Sequence, residues 1–426
     1  MSSGKLLALA IAVVVTPIVS RLFSPSDYGV AALFIAASTI ASSVLALAYE
    51  RAAIFPKDDQ KANRVVYLAL AVSIVTALLI LLLIAVCALI WPDIIEGSNF
   101  GSFLWLLPLG AFLMSLKGVG VALCVRRNDY TAIATADVGE AGITAATRIF
   151  WGLVIGSSTA GLLTGHLLGL LFATLACGFR SLTWLKRGGR PPGLGEMCSV
   201  AREFKDYPQF RAPAKIAFSA ATKLPVIALG IMFPAEIVGF YAMGNRAAGR
   251  PLQAVSKSVS NVLLGKTMRL RHLEQPLGKS LLMVAAVLVL SGIPVFSVML
   301  FFGEEVLTWV LGARWSSAGI YVQIMAPYLF IFWIGSFAST VFETLRLNKV
   351  RLKLNVGNLL VRVLVFVACS LAGLDIIKTL WAYVIASCFY QAIVYFIAAR
   401  AVMSHDAALI QKNFAASNPV VGDELS

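Results

Sequence analysis

Apolar residues run along this chain in long blocks, without the strict alternation of strands or the narrow stripes of surface helices. Twelve blocks approach or exceed the ~20 residues that a helix needs to cross a bilayer. They fall at roughly 5–21, 28–50, 64–91, 101–124, 131–155, 159–184, 213–233, 237–264, 279–302, 316–345, 350–373 and 377–400. Proline, glycine and charged residues collect between the blocks, where helices end or join. The pattern predicts an all-α polytopic membrane protein of twelve transmembrane helices, because in lipid every backbone polar group must be satisfied internally. The first block begins almost at Met1 with Lys5 ahead of it, as a secretory signal would. Thr16-Pro17, the lack of a small-residue cleavage pattern and the restart of apolar sequence at Tyr28 favour a retained helix.

Composition excludes the soluble alternatives. Hydrophobic residues make up 59% of the chain and charged residues 13%, against about 25% charged in a soluble domain. A net charge of +14 would hint at nucleic acid in a soluble protein. Here the cations gather between the apolar blocks, so the charge reads as topology and no nucleic-acid partner is expected. The six cysteines are scattered without a CxxC, and His166, His272 and His405 lie far apart. Neither a disulfide framework, a metal site nor a catalytic triad is indicated, and no cofactor is expected.

The cations alternate with the connections. Arg51, Lys57, Lys61 and Arg64 follow block two, and Arg126 and Arg127 follow block four. Lys186, Arg187, Arg190, Arg202, Lys205, Arg211 and Lys215 follow block six. Lys266, Arg269, Arg271 and Lys279 follow block eight; Arg346, Lys349, Arg351 and Lys353 follow block ten. The odd connections hold only Arg21, Arg314 and Lys378, beside Asp93, Glu96, Glu236, Glu304 and Glu305. By the positive-inside rule both termini and the even connections are cytoplasmic. A miscounted helix would destroy the alternation, so it checks the twelve-block reading independently.

The longest connection, Lys186–Ala212, holds Gly-Gly-Arg-Pro-Pro-Gly and joins an N-terminal six-helix lobe, 1–185, to a C-terminal one, 213–401. Its part Met197–Tyr207 suits a short helix on the cytoplasmic surface. Residues 402–426 read as a polar, loosely ordered cytoplasmic tail.

Ionisable groups at membrane depth are the strongest functional pointers. The cations are Arg148, Lys223, Arg246, Arg250 and Arg362, with Arg21 and Arg51 at the rims of the first two blocks. Asp137 and Glu140 supply acid in block five, and His166 a titratable ring. Bland readings exist for several. Arg148 lies eight residues after Glu140, on nearly the same helix face, and either neutralises it or turns outward. Arg51 beside Glu50 also suits a boundary anchor, His166 a packing role, and Asp137 a solvated helix end. Lys223, Arg246 and Arg250 resist such readings: they are mid-span with no acid nearby in either helix, and 246 and 250 share a face. Burying a cation costs about 2.5–3.5 kcal/mol even on the lenient insertion scale. Together they predict an electropositive interior suited to an anionic cargo, with Arg able to clamp phosphate oxygens bidentately. Asp137, Glu140 or His166 are the candidates for coupling to a proton or cation gradient.

The chain also echoes itself. Pro17, Phe23, Pro25, Asp27, Gly29 and Ala32 have counterparts in Pro225, Phe233, Pro234, Glu236, Gly239 and Ala242. Pro108 followed by Arg126-Arg127-Asn128 resembles Pro327 followed by Arg346 and Asn348. Two anchors in the same order suggest a duplicated half in parallel orientation. Pro17 and Pro225 then mark paired bends, which a two-lobed rocking transporter would use.

These stretches resemble a known family. Arg21-Leu-Phe-Ser-Pro-Ser-Asp-Tyr-Gly29, Tyr49-Glu-Arg-Ala-Ala-Ile-Phe-Pro-Lys-Asp-Asp59, Val238-Gly-Phe-Tyr-Ala-Met-Gly-Asn-Arg246 through Pro251, and Gly312-Ala-Arg-Trp-Ser-Ser-Ala-Gly-Ile-Tyr321 resemble bacterial polysaccharide flippases. These belong to the multidrug/oligosaccharidyl-lipid/polysaccharide exporter superfamily. The resemblance runs from about Leu7 to Arg400, although relatives usually have more residues before the first span. It implies two six-helix bundles around a central cavity. It implies as cargo an undecaprenyl-pyrophosphate-linked oligosaccharide, moved from the cytoplasmic to the periplasmic leaflet of the inner membrane. Polymerase and glycosyltransferase partners follow from the same resemblance, and Arg21, Arg51 and Arg246 fall in its matching motifs. The product would be O-antigen, capsule or exopolysaccharide.

Other functions compete, among them a peptidoglycan-precursor flippase, a branch that typically has two more spans. A drug/cation antiporter of the same superfamily predicts acids, not bases, in the cavity. A membrane polysaccharide polymerase or ligase predicts a large external loop, whereas the connections near Trp91–Phe100 and Phe302–Ser316 are short. The expectation is therefore a transporter and not an enzyme.

Overall fold

The computed structural model describes residues 2–56, 58–92, 101–187, 192–345 and 347–417. Lys57, Asp93, Glu96, Arg190 and Arg346 lie outside them, as does the Arg250 side chain. Among the described residues the secondary structure is helical throughout. The first half carries α1 (Ser2–Leu22), α2 (Pro25–Leu45), a single turn α3 (Tyr49–Ala52), α4 (Asp59–Ile90), α5 (Leu107–Arg126), α6 (Tyr130–Val154) and α7 (Thr159–Arg187). The linker carries α8 (Leu194–Glu203). The second half carries α9 (Ala212–Met232), α10 (Ala235–Gly244), α11 (Arg250–His272), α12 (Gly278–Leu311), α13 (Ser316–Ile334), α14 (Ser336–Thr344), α15 (Asn348–Leu371) and α16 (Ile376–Ser417).

All twelve apolar blocks are helical over most of their length. Ten helices among the described residues are also long and apolar enough to cross a membrane. The two blocks outside that set, 131–155 and 237–264, are the ones that carry Asp137, Glu140 and Arg148, and Arg246 and Arg250. Several boundaries differ from the sequence reading, block 237–264 among them, which runs on to His272. Block 28–50 breaks after Leu45, where Leu47 and Ala48 turn left-handed at φ 45° and 62° before α3. Block 316–345 is two helices broken at Gly335, where a Cβ would strike the Tyr395 ring. The tail expected after Arg400 instead continues α16 to Ser417. Asp406 there accepts hydrogen bonds from the Leu277 and Gly278 amides at 2.9 and 2.8 Å, capping α12 with an anion at its positive end. The helix is thus held by a partner distant in sequence.

Packing divides the described chain into two compact units, Met1–Ala247 with Glu304–Tyr321, and Ala248–Gly303 with Val322–Ser426. In the first unit α2 begins with a capping box. Ser24 and Asp27 exchange hydrogen bonds with each other's backbone, and Pro25 sits where its missing N–H costs nothing. Asp27 also accepts from Ser157 and Thr159 at 2.8 and 2.9 Å, tying the α6–α7 connection to the same spot.

The sequence repeat has a direct structural expression here. A Cβ on Gly29 would lie 1.7 Å from the Ala235 carbonyl oxygen, and one on Gly239 would lie 1.8 Å from the Pro25 carbonyl oxygen. The crossing of α2 and α10 is therefore reciprocal, each glycine facing the start of the other helix, as in an isologous contact between equivalent elements. Pro17 and Pro225 both lie inside their helices, α1 and α9. Beside the crossing, Trp315 is fully buried. It packs edge-on against Tyr28 at 5.3 Å and Phe240 at 6.0 Å, and its indole N–H donates to the Ser20 carbonyl at 2.9 Å. Ser20 in turn donates to the Leu311 carbonyl at 3.1 Å.

A second core of this unit joins Tyr49, Ala52, Val65, Val66 and Leu123 to Val200 of α8, with Met197 and Phe204 against it. The linker helix expected on the surface is thus docked on α4, with Lys61–Glu203 and Arg64–Glu196 ion pairs at 2.5 and 3.1 Å. In the second unit the core joins Leu263, Leu277, Leu281, Ala338, Val341, Phe342, Ala398 and Val402.

Candidate functional site

The helix that carries Arg246 does not run straight. Pro251 lacks the N–H that would complete the α ladder, and its ring crowds the turn before it. The chain responds with a wide turn of π geometry over Asn245–Gly249, between α10 and α11. Such turns re-aim a side chain and cluster at functional sites. Arg246 is half-buried within it, with its Nε enclosed and unbonded.

Arg148 and Tyr28 lie close enough to Arg246 for their charges to interact. Tyr28 is buried on α2. Arg148, 4% exposed on α6, donates from Nε and one terminal nitrogen to the Leu162 carbonyl at 3.3 and 3.1 Å. Room for this burial comes from glycines spaced four apart on α7. A Cβ on Gly165 would meet Arg148 Cγ at 2.8 Å, and one on Gly169 would meet Thr144 Oγ1 at 2.2 Å. Among the described residues no carboxylate forms an ion pair with Arg148 or Arg246. Buried Tyr28 and Arg148 and half-buried Arg246 thus lie within electrostatic reach of one another, and the unbonded Arg246 Nε is a guanidinium donor open to an anion.

The other sequence-predicted cations are dispersed. Arg21 and Arg51 are exposed and flank α2 at its two ends, about 30 Å apart by helix rise. Lys223 is half-buried on α9. Arg250 opens α11. Arg362 belongs to the second unit, where it is 7% exposed. It receives cation–π contact from Tyr328 and Tyr383 at 5.7 and 5.3 Å and donates to the Tyr328 hydroxyl at 2.9 Å.

The predicted acids have a partner that the sequence reading missed. Lys117 of α5 reaches across to α6 and sits 3.2 Å from Asp137 and 2.5 Å from Glu140. Its ammonium, not Arg148, neutralises Glu140. All three side chains are roughly one-fifth exposed. Lys117 was findable, since it is the only charge between Leu107 and Val125 in an apolar block. His166 lies half-buried on α7, next to Gly165 in sequence and outside this triad. An open groove between α4 and α5, by contrast, is lined by Ile74, Leu78, Leu81, Pro108 and Phe112, as suits a surface facing acyl chains.

Lys117→Gln leaves two carboxylates without their cation. We expect it to destabilise the protein by about 2 kcal/mol, toward the low end for a broken pair because the triad is partly solvated. Thermal unfolding in detergent checks this, and adding Asp137→Asn and Glu140→Gln should restore more than half of the loss.

A family model described as polysaccharide biosynthesis protein matches residues 18–320. No curated protein matches the sequence significantly. Among solved structures, the lipid II flippase MurJ in an inward closed conformation superposes with a TM-score of 0.70 at 12% identity, covering 99% of this chain and 92% of that one. An inward-facing multidrug resistance MATE family transporter of the MOP superfamily gives 0.66 at 15% identity, covering 96% of both chains. A MOP superfamily transporter from Pyrococcus furiosus, described as having a binding pocket of reverse polarity, gives 0.51 at 12% identity over 95% of both. The described helices therefore adopt a fold like that of these transporters.

Proposed function

Because the chain belongs to the polysaccharide biosynthesis protein family, we propose that it is a flippase for a lipid-linked oligosaccharide. The carrier is undecaprenyl pyrophosphate. The movement is from the cytoplasmic to the periplasmic leaflet of a bacterial inner membrane, and the product is O-antigen, capsule or exopolysaccharide. Transport is by alternating access, with the lobes 1–185 and 213–401 as the moving halves and both termini cytoplasmic.

The observation that carries this reading is the Tyr28–Arg148–Arg246 cluster. Tyr28 and Arg148 are buried, Arg246 is half-buried on a π turn, and no acid among the described residues pairs with either arginine. A pyrophosphate supplies the missing anion, and guanidinium matches its oxygens in a way that ammonium does not. Arg51 and Arg21 then serve the cytoplasmic and external rims, Lys223 adds to the positive potential of the first unit, and Arg250 and Arg362 are the candidate substrate cations of the second unit. Asp137 and Glu140, held by Lys117, are the candidates for gradient coupling, with His166. An antiporter for cationic drugs would need free acids in the spans, and both of these are engaged.

Deleting the gene in its host tests the reading. Surface polysaccharide should fall to background, lipid-linked oligosaccharide should accumulate on the cytoplasmic face, and a plasmid copy should restore both. Unchanged surface polymer would contradict it.

A further inference from the structure

We propose that Lys215 is a further phosphate-binding residue, held in reserve by Glu50 and released when a pyrophosphate headgroup arrives at the cytoplasmic end of α2. This rests on the lipid-pyrophosphate reading above. Three observations lead to it. First, α2 ends in two consecutive left-handed residues, Leu47 and Ala48, neither of which is glycine. Such a link persists only where its surroundings enforce it. Secondly, Tyr49, Ala52 and Ala53 beyond it are buried in the core shared with α4, α5 and α8. Arg126 holds the following carbonyls, donating to Pro56 at 2.5 Å while it pairs with Asp59 at 2.6 Å. Thirdly, Glu50 is 7% exposed, and its charge rests on one contact: Oε1 takes the Lys215 ammonium at 2.7 Å, while Oε2 is buried without a hydrogen-bond partner.

The charges around this pair are unequal. The elements packed against α3 are α4, α5 and the π turn Tyr207–Arg211 that precedes α9. Lys61, Arg64 and Arg126 on the first two are matched by Glu203, Glu196 and Asp59. Arg211 lies over the Tyr207 ring at 5.1 Å, and neither it nor the exposed Arg51 pairs with an acid among the described residues. Asp58 caps the start of α4 and Asp206 stands at the start of the π turn, so Glu50 is the buried anion that faces Lys215, in a set that also contains Arg51 and Arg211. A carboxylate with one oxygen unsatisfied is a poor match for that set, and a pyrophosphate with several acceptor oxygens is a better one. When the headgroup takes the Lys215 ammonium, Glu50 is left buried without its partner. Its turn, α3, must then leave the core, and the left-handed link relaxes. Binding energy so becomes movement at the end of α2, because the ligand favours one of two arrangements of the same segment.

The test uses the full-length protein in detergent with farnesyl pyrophosphate, inorganic pyrophosphate and farnesol as probes. Glu50→Gln should tighten farnesyl pyrophosphate at least fivefold, and Lys215→Gln should weaken it at least tenfold. If Lys215→Gln alone fails to fold, the double variant Glu50→Gln/Lys215→Gln removes the stranded charge and should show the same weakening at a wild-type unfolding temperature. Amide hydrogen exchange over 46–53 should rise on binding in the wild type and be high without ligand in Glu50→Gln. Unchanged or weaker binding by Glu50→Gln, or exchange over 46–53 that ignores the ligand, would overturn the proposal while leaving the flippase reading intact. No binding of either pyrophosphate by the wild type would overturn both. Inorganic pyrophosphate should bind at least tenfold more weakly than the farnesyl form and farnesol not at all; equal affinity of the two pyrophosphates would overturn the lipid assignment.

Discussion

Gly239→Val should yield almost no monodisperse protein from membrane extracts, and Gly29→Val should behave the same way. The atom that a side chain would meet at either site is a backbone carbonyl oxygen of the opposing helix, 1.8 Å from a Cβ at 239 and 1.7 Å from one at 29. A flexible side chain could rotate away, but a helix backbone cannot. The α2–α10 crossing must therefore open, taking with it the packing of Trp315 on Tyr28 and Phe240. The cost should exceed the 1–3 kcal/mol typical of an overpacked core. Gly118→Val is the control, since a Cβ there meets nothing within 4 Å. Fluorescence-detected size exclusion and a thermal melt read the result. A monodisperse Gly239→Val with the melting temperature of the wild type would show that the two helices do not cross as described.

The second large effect concerns Arg246. Removing its side chain takes a charged donor from a half-buried site, while Pro251, which breaks the helix there, is kept. A hydrogen bond to a charged group contributes about 1.5–3 kcal/mol, which is roughly 10- to 100-fold in headgroup affinity. Arg246→Ala should lose transport by that factor at normal expression. Arg246→Lys should recover part of it, because an ammonium keeps the charge and loses the fork. Arg148→Ala is a poorer probe, because its guanidinium also binds the Leu162 carbonyl and fills the space over Gly165.

How much of this was legible in the residues depended on the range of the signal. The apolar blocks are local and dense, so the existence and order of their helices were readable, while several of their ends were not. The repeat was readable because its prolines and glycines are the residues that a close helix crossing needs, and Gly29 and Gly239 turn out to face one another's helix. The break after Leu45 was not readable. Leu47-Ala48 carries no glycine, asparagine or proline to announce a left-handed turn, and tertiary packing of Tyr49 and Ala52 enforces it. The extension of α16 to Ser417 was hidden for the same reason, as Asp406 caps a helix more than a hundred residues earlier. At the site, the mid-span arginines announced themselves by their cost in lipid. Their grouping did not, because it depends on a turn widened by Pro251 and on the glycine face of α7. Lys117 is the lone charge in an apolar block, and its reach across to α6, which places Glu140 in a triad apart from Arg148, depends on helix packing that no local pattern shows.

The central claim is that a cationic cluster carries a pyrophosphate headgroup across the membrane. Its most direct test is a translocation assay in proteoliposomes loaded with a fluorescent polyprenyl-pyrophosphate oligosaccharide and quenched from outside. Wild-type protein should move the lipid between leaflets, Arg246→Ala should slow that movement at least tenfold, and a polyprenol carrying the same sugar without phosphate should not move. Equal rates for wild type and Arg246→Ala, or equal movement of the phosphate-free lipid, would contradict the account.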